Sequence, residues 1–147
     1  PHESLYCEGY FGYEKALMRA GLTVHPSVVI EQPEDYLAFD ATLKKSQSTA
    51  LVVIDDIFAL RTMQLAQMYG YRIPDTLSII SFNNSIFATL THPYLTSIDI
   101  DSSELGRVAM QKLYELIHDE ISSGVRLVIP HQLVKRETVV PRLQEKK

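Results

Sequence analysis

The sequence has little with which to grip nucleic acid, cross a membrane or hold a metal. Its 14 Lys and Arg are outnumbered by 18 Asp and Glu, for a net charge of -4, whereas a nucleic-acid interface calls for a basic face. No stretch approaches the roughly 20 consecutive apolar residues of a membrane span. The opening Pro1-His2-Glu3-Ser4 lacks the basic and apolar regions of a secretory signal. One cysteine, Cys7, excludes an internal disulfide and fits a reducing cytoplasm. With no histidine in an activating motif beside it, Cys7 reads as a small buried side chain rather than a nucleophile. The five histidines stand at 2, 25, 92, 118 and 131, without metal-ligand spacing. A Gly-rich phosphate loop is missing, as is any Ser, His and acid grouping with a nucleophile-elbow signature. Nothing therefore calls for an enzyme, a metal or a cofactor. Repeats and low-complexity tracts are absent too, apart from a polar tail at 144–147.

What is present is a regular alternation of apolar runs and helical stripes. At 147 residues, 46% apolar and 22% charged, the chain is one domain or part of one. Tyr13, Ala16, Leu17 and Ala20 share a helical face, and Gly21 ends it. Val28-Val29-Ile30 is a short strand. Pro33 opens a helix bearing Tyr36, Leu37, Phe39 and Leu43. Ala50-Leu51-Val52-Val53-Ile54 is a buried strand, followed by a helix over 57–69 with Ala59, Leu60, Met63 and Ala66 inward and Gly70 as its cap. Leu77-Ser78-Ile79-Ile80-Ser81-Phe82 is the next strand. This alternation predicts an α/β fold with a parallel sheet flanked by helices. After His92-Pro93-Tyr94 come a strand at 95–98, a long amphipathic helix started by Ser102-Ser103-Glu104, and an alternating edge strand at 132–138. The long helix carries Leu105, Val108, Ala109, Leu113, Leu116 and Ile117 on one stripe. Its width predicts a cover from further chain or from a second copy.

Both central strands end on polar side chains, Asp55-Asp56 and Asn83-Asn84. In an open α/β sheet small ligands bind beyond the carboxyl ends of the strands, so a small-molecule sensor is the function these residues favour. An ionised carboxylate accepts two hydroxyl protons, and an amide both donates and accepts. Asp55 fits a ligand contact and a helix N-cap equally well. Asn83 fits a ligand contact or a turn. A phosphoacceptor receiver domain would need a further strand-end aspartate where Asn83 and Asn84 stand. A flavodoxin-like enzyme has no residue set here to carry its chemistry.

Asp55-Asp56-x-x-Ala59-Leu60, then Gly70-Tyr71-Arg72-Ile73-Pro74-Asp75-x-x-Ser78-Ile79-Ile80-Ser81-Phe82-Asn83-Asn84, Pro93-x-Leu95-Thr96-Ser97-Ile98 and Leu105-Gly106-x-x-Ala109 resemble the effector-binding domain of the LacI/GalR family of bacterial transcriptional repressors. Gly12-Tyr13-x-x-Ala16-Leu17, Ala20-Gly21 and Pro130-x-x-Leu133-Val134-x-Arg136-Glu137 resemble it as well, in the right order along nearly the whole chain. Within the family, Ser81-Phe82-Asn83-Asn84-Ser85 and Leu95-Thr96-Ser97-Ile98-Asp99 look most like the maltose-operon repressors.

The resemblance implies a type I periplasmic-binding-protein-like fold of two subdomains with a sugar effector, maltose or a maltodextrin, between them. It places the carboxy-terminal subdomain at 1–92, a crossover strand and helix towards an amino-terminal subdomain at 93–124, and a return strand at 125–143. It implies a cytoplasmic homodimer that binds operator DNA through an amino-terminal helix-turn-helix lying outside this sequence. The helix around Met63 to Met68 and the region from Phe87 to Thr91 fit as contributors to the dimer or equally as ordinary core. A solute-binding protein of a sugar transporter is the alternative with the same fold. On this resemblance Asp55 and Asn83 are effector contacts, and Asp56 is left as the cap or helix-dipole partner. The family's effector-clamping arginine is replaced by Gly9, which fits a neutral saccharide. Tyr6, Tyr10, Phe11 and Tyr36 could stack on pyranose faces or pack in the core; Tyr10 and Tyr36 are taken with Asp55 and Asn83 as the effector set. Arg61 replaces a small residue and reads as surface.

Overall fold

A computed structural model describes residues 2–23, 36–118 and 126–141, the side chains of 2–8, 36 and 37 excepted, and among the described residues there are four strands, four α-helices and one 3-10 turn. The fold divides into two units, Pro1–Gln47 and Ser48–Lys147.

In the first unit, α1 (His2–Arg19) ends where the sequence predicts. Gly21 sits at φ 68°. There the Leu22 N–H reaches back to the Leu17 carbonyl at 2.9 Å and the Gly21 N–H to that of Met18 at 3.1 Å. This is the paired closure that a left-handed residue past a helix end permits. Tyr13 and Leu17 are half-buried, while Ala16 and Ala20 are exposed. α2 (Tyr36–Ser46) buries Phe39 and Leu43 one turn apart, as the stripe from Pro33 anticipates. The expected strand at Val28–Ile30 and the helix start at Pro33 lie outside the described residues.

The second unit is built on a sheet of order β1-β2-β3-β4, from β1 (Ala50–Val52), β2 (Ser78–Phe82), β3 (Thr96–Asp99) and β4 (Gln132–Val134). β1 pairs with β2, and β2 with β3, in parallel. α3 (Asp56–Met68) makes the crossover from β1 to β2. Its inward residues Ala59, Met63, Leu65 and Ala66 are buried, as are Leu77 and Ile79 at β2 and Leu95 beside β3. Leu60 is half-buried and Arg61 exposed. Gly70 takes φ 83° just past the helix. The Tyr71 N–H closes onto the Ala66 carbonyl at 2.9 Å, the same terminal geometry as in α1.

Two strand expectations need correction. The run at 50–54 is not buried throughout: β1 lies at the end of the strand order, it stops at Val52, and Val52 and Ile54 are exposed. The sheet is mainly parallel, as the alternation predicts. β4 runs antiparallel to β3, pairing Asp99 with Gln132 and Ser97 with Val134, so the sheet is mixed. The predicted strand to Thr138 ends early, at Val134. The cause is the segment just beyond it. The chain bends at 137–138, and fully buried Thr138 bonds to the starts of β2 and β3. Its Oγ1 donates to the Ile79 carbonyl at 2.6 Å and accepts the Thr96 N–H at 2.9 Å, while its own carbonyl takes the Ile79 N–H at 2.8 Å. A side chain that satisfies two buried backbone groups replaces further ladder pairing.

α4 (Ser102–Ile117) follows β3 and has no buried residue. Leu105, Leu113, Leu116 and Ile117 are exposed by 42–69%, so the stripe read from the sequence is uncovered among the described residues. Its cap is Asp101 rather than a serine: the Asp101 carboxylate accepts the Glu104 N–H at 3.1 Å. Glu104 is turned instead to Arg107, which donates to both its oxygens.

Candidate functional site

Because β1, β2 and β3 are parallel, their carboxyl ends share one edge, and each strand delivers polar residues there. After β1, one expectation about the two aspartates is overturned, that Asp56 caps α3. Asp55 is the N-cap of α3: it has extended backbone, and its Oδ1 accepts the Phe58 N–H at 2.8 Å. Its second oxygen has no hydrogen-bond partner among the described residues, and the side chain is partly exposed. Asp55 can therefore cap with one oxygen and present the other outward.

Asp56 is not the cap. It is 1% exposed and is the acceptor at the centre of a buried network. Oδ1 takes the hydroxyls of Ser81 at 2.5 Å and Ser97 at 2.8 Å. Oδ2 takes the Ser85 N–H at 2.6 Å and the Ser85 hydroxyl at 2.7 Å. The physical reason is the position of the first helical residue, which points back over β2 and β3 while the cap residue faces out. Burial alone pushes the Asp56 carboxyl up, but the hydrogen bonds from Ser81, Ser85 and Ser97 outweigh it and hold the group below its ordinary value. An ionised carboxylate with four donors is a satisfied buried charge.

At the end of β2, Asn83 and Asn84 both have left-handed backbone, at φ 96° and 48°. Asn83 N–H still pairs with the Ile98 carbonyl at 2.8 Å. Its side chain is exposed and has no hydrogen-bond partner among the described residues. Asn84 is committed elsewhere. Its N–H donates to Ser97 Oγ at 3.0 Å, its amide donates to Asp99 Oδ2 at 3.0 Å, and its carbonyl oxygen accepts from Arg136 Nη2 at 2.6 Å. The Arg136 guanidinium also donates to the Leu95 carbonyl at 2.7 Å. Asp99 Oδ1 accepts the Asp101 N–H at 2.9 Å. The Asp101 N–H and Asn84 bonds, with Arg136 nearby, hold the Asp99 carboxyl low.

The strand-end edge thus places Asp55 and Asn83 outward, over a layer of Asp56, Ser81, Ser85, Ser97, Asn84, Asp99 and Arg136 bonded among themselves. Its exposed groups are a carboxylate and an amide, which suit a neutral polyhydroxy ligand and disfavour an anion. The supporting serines and Arg136 carry no signal of ligand chemistry in the sequence. Serines in strands become informative only once the register sets them facing Asp56.

The other two candidates belong to the first unit. Tyr10 is half-buried on α1, its ring centroid 6.4 Å from that of Tyr13. A hydrogen bond to Glu14 raises its hydroxyl pKa, with desolvation and the Glu14 charge adding to it. Tyr36 is the first residue of α2. Phe11 is 62% exposed. At Gly9 nothing among the described residues lies within 4 Å of where a Cβ would stand. Among the described residues no group of three or more His, Cys, Asp and Glu side chains could hold a metal, and no helix is long and apolar enough to cross a membrane.

Residues 8–139 match the periplasmic binding protein-like domain family, and the chain belongs to it. Catabolite control protein A of Priestia megaterium is 31% identical over 132 residues, which are 86% of this chain and 40% of that protein. The HTH-type transcriptional repressor PurR of Haemophilus influenzae is 34% identical over 138 residues, 88% of this chain and 41% of that protein. The transcription regulator CcpA of Lactococcus lactis superposes with a TM-score of 0.77 at 29% identity, over 88% of this chain and 49% of that one. The transcriptional regulator CelR in complex with cellobiose has the same fold, at a TM-score of 0.77 and 24% identity over 86% of this chain and 40% of that one. The fold is type I periplasmic-binding-protein-like, the relatives are transcriptional regulators rather than enzymes, and this chain spans about two fifths of the curated relatives it matches.

Proposed function

We propose that this chain is part of the effector-binding domain of a LacI/GalR-type repressor, and that a sugar binding at the strand-end edge changes operator affinity. The observation that carries the reading is the pair Asp55, partly exposed, and Asn83, exposed, at one sheet edge, with one Asp55 oxygen and the Asn83 amide lacking a hydrogen-bond partner among the described residues, in a chain whose relatives are transcriptional regulators. Maltose or a maltodextrin is the proposed effector, from the Ser81 to Ser85 and Leu95 to Asp99 runs. The fold holds a disaccharide in CelR. An amino-terminal subdomain is proposed to cover the stripe of α4, and a helix-turn-helix to read the operator as a cytoplasmic homodimer. Coupling requires the sugar to bind one subdomain arrangement better than the other.

Calorimetric titration of maltose, maltotriose, cellobiose and glucose into the intact protein that carries this chain tests the reading. Saturable binding of a maltodextrin, with operator affinity changed at saturation, is the expected result. A folded protein that binds none of them would remove the sugar assignment.

A further inference from the structure

We infer that Asp56 is a positioning residue that sets where Asn83 stands relative to Asp55, a role that rests on the effector reading above. Asp56 is adjacent in sequence to Asp55 at the start of α3, so its side chain ties the backbone that carries Asp55 to whatever it grips. What it grips is the turn after Asn83. Oδ2 holds both the N–H and the hydroxyl of Ser85. Oδ1 holds the Ser97 hydroxyl, whose oxygen in turn accepts the Asn84 N–H. The two residues that follow Asn83 are therefore anchored, directly or through one hydroxyl, to a single buried carboxylate.

The backbone of this turn requires such an anchor. Asn83 at φ 96° and Asn84 at φ 48° are consecutive non-glycine residues on the unfavourable side of φ, a strain that persists only where the surroundings over-determine it. Freed from Asp56, the turn would keep its bonds to Ile98, Asp99 and Arg136 but lose its hold at Ser85 and Ser97, and the Asn83 amide would shift from its place at the end of β2. A ligand held by both groups is sensitive to displacements of about 1 Å.

The four donors to Asp56 separate this role from simple stabilisation. Ser81 and Ser97 are both fully buried, and each gives one hydroxyl hydrogen bond to Oδ1. Only Ser97 also takes the Asn84 N–H. Ser97→Ala in the intact protein should therefore lower the melting temperature at least as much as Ser81→Ala, and the two should part company in everything that reads the turn. Maltotriose affinity is expected to fall roughly tenfold or more in Ser97→Ala and to stay within about threefold in Ser81→Ala. Amide hydrogen exchange at Asn84 and Ser85, read by mass spectrometry, is expected to quicken in Ser97→Ala alone. Equal exchange at Asn84 and Ser85 in the two variants would overturn the inference, as would equal loss of affinity. If the wild type binds no sugar, the effector reading falls by itself, and the exchange comparison alone decides whether Asp56 holds the turn through Ser97.

Discussion

Asp56→Ala is expected to remove about 3 kcal/mol or more of folding stability, against about 1 kcal/mol for loss of the Asp55 cap in Asp55→Ala. The difference arises from what each carboxylate leaves behind. Without Asp55, one N–H of the first turn of α3 returns to water. Without Asp56, the Ser85 N–H and the hydroxyls of Ser81, Ser85 and Ser97 lose their acceptor, several of them in the interior. Urea denaturation of the two variants beside the wild type measures the contrast, and equal midpoints would contradict it. The same network fixes a pH dependence. The folded-state pKa of Asp56 is depressed, so the native state binds a proton less readily than the unfolded chain. Its contribution is complete above the ordinary aspartate value of about 3.9 and is lost as pH falls through the lower folded value. Asp56→Asn is accordingly expected to flatten the fall in melting temperature below about pH 4.

Asp55→Ser is expected to weaken sugar binding roughly 10- to 100-fold with little loss of stability. Serine caps a helix about as well as aspartate does, so the Phe58 N–H stays satisfied while the charged acceptor offered to the ligand disappears. Asn83→Gly is the matching variant at the other strand end. Glycine adopts φ 96° without strain, so the turn is kept and only the amide is removed. A neutral hydrogen-bonding group is worth less than a charged one, and about a 3- to 10-fold loss is expected. Calorimetry on both variants, with unfolding midpoints measured alongside, separates these losses from misfolding. Wild-type affinity in Asp55→Ser would mean that Asp55 is a cap and nothing more.

Much of this architecture is legible in the sequence because its signals are local. The glycines after α1 and α3 mark helix ends, since only a residue at ease with positive φ closes those turns. The runs at 50–54 and 77–82 read as parallel strands because they lack a long polar alternation, although the first of them proves only partly covered. Asp55 and Asn83 stand out because strand-end polar residues contrast with the apolar runs before them. What escapes depends on contacts distant in sequence. Which of Asp55 and Asp56 caps α3 is decided by Ser81, Ser85 and Ser97, residues 25, 29 and 41 positions from Asp56. The early end of β4 is likewise decided by Thr138 bonding to Ile79, 59 residues away. Periodicity carries no trace of either. For Asp101, the neighbouring serines look like better caps, and the left-handed backbone that brings the aspartate to Glu104 has no composition signal.

A crystal structure of the intact protein grown with maltotriose tests the central claim most directly. The account predicts saccharide hydroxyls within hydrogen-bond distance of the Asp55 carboxylate and the Asn83 amide, above an Asp56 network unchanged in its partners. Maltotriose bound elsewhere, with Asp55 only capping α3 and Asn83 facing solvent, would contradict it.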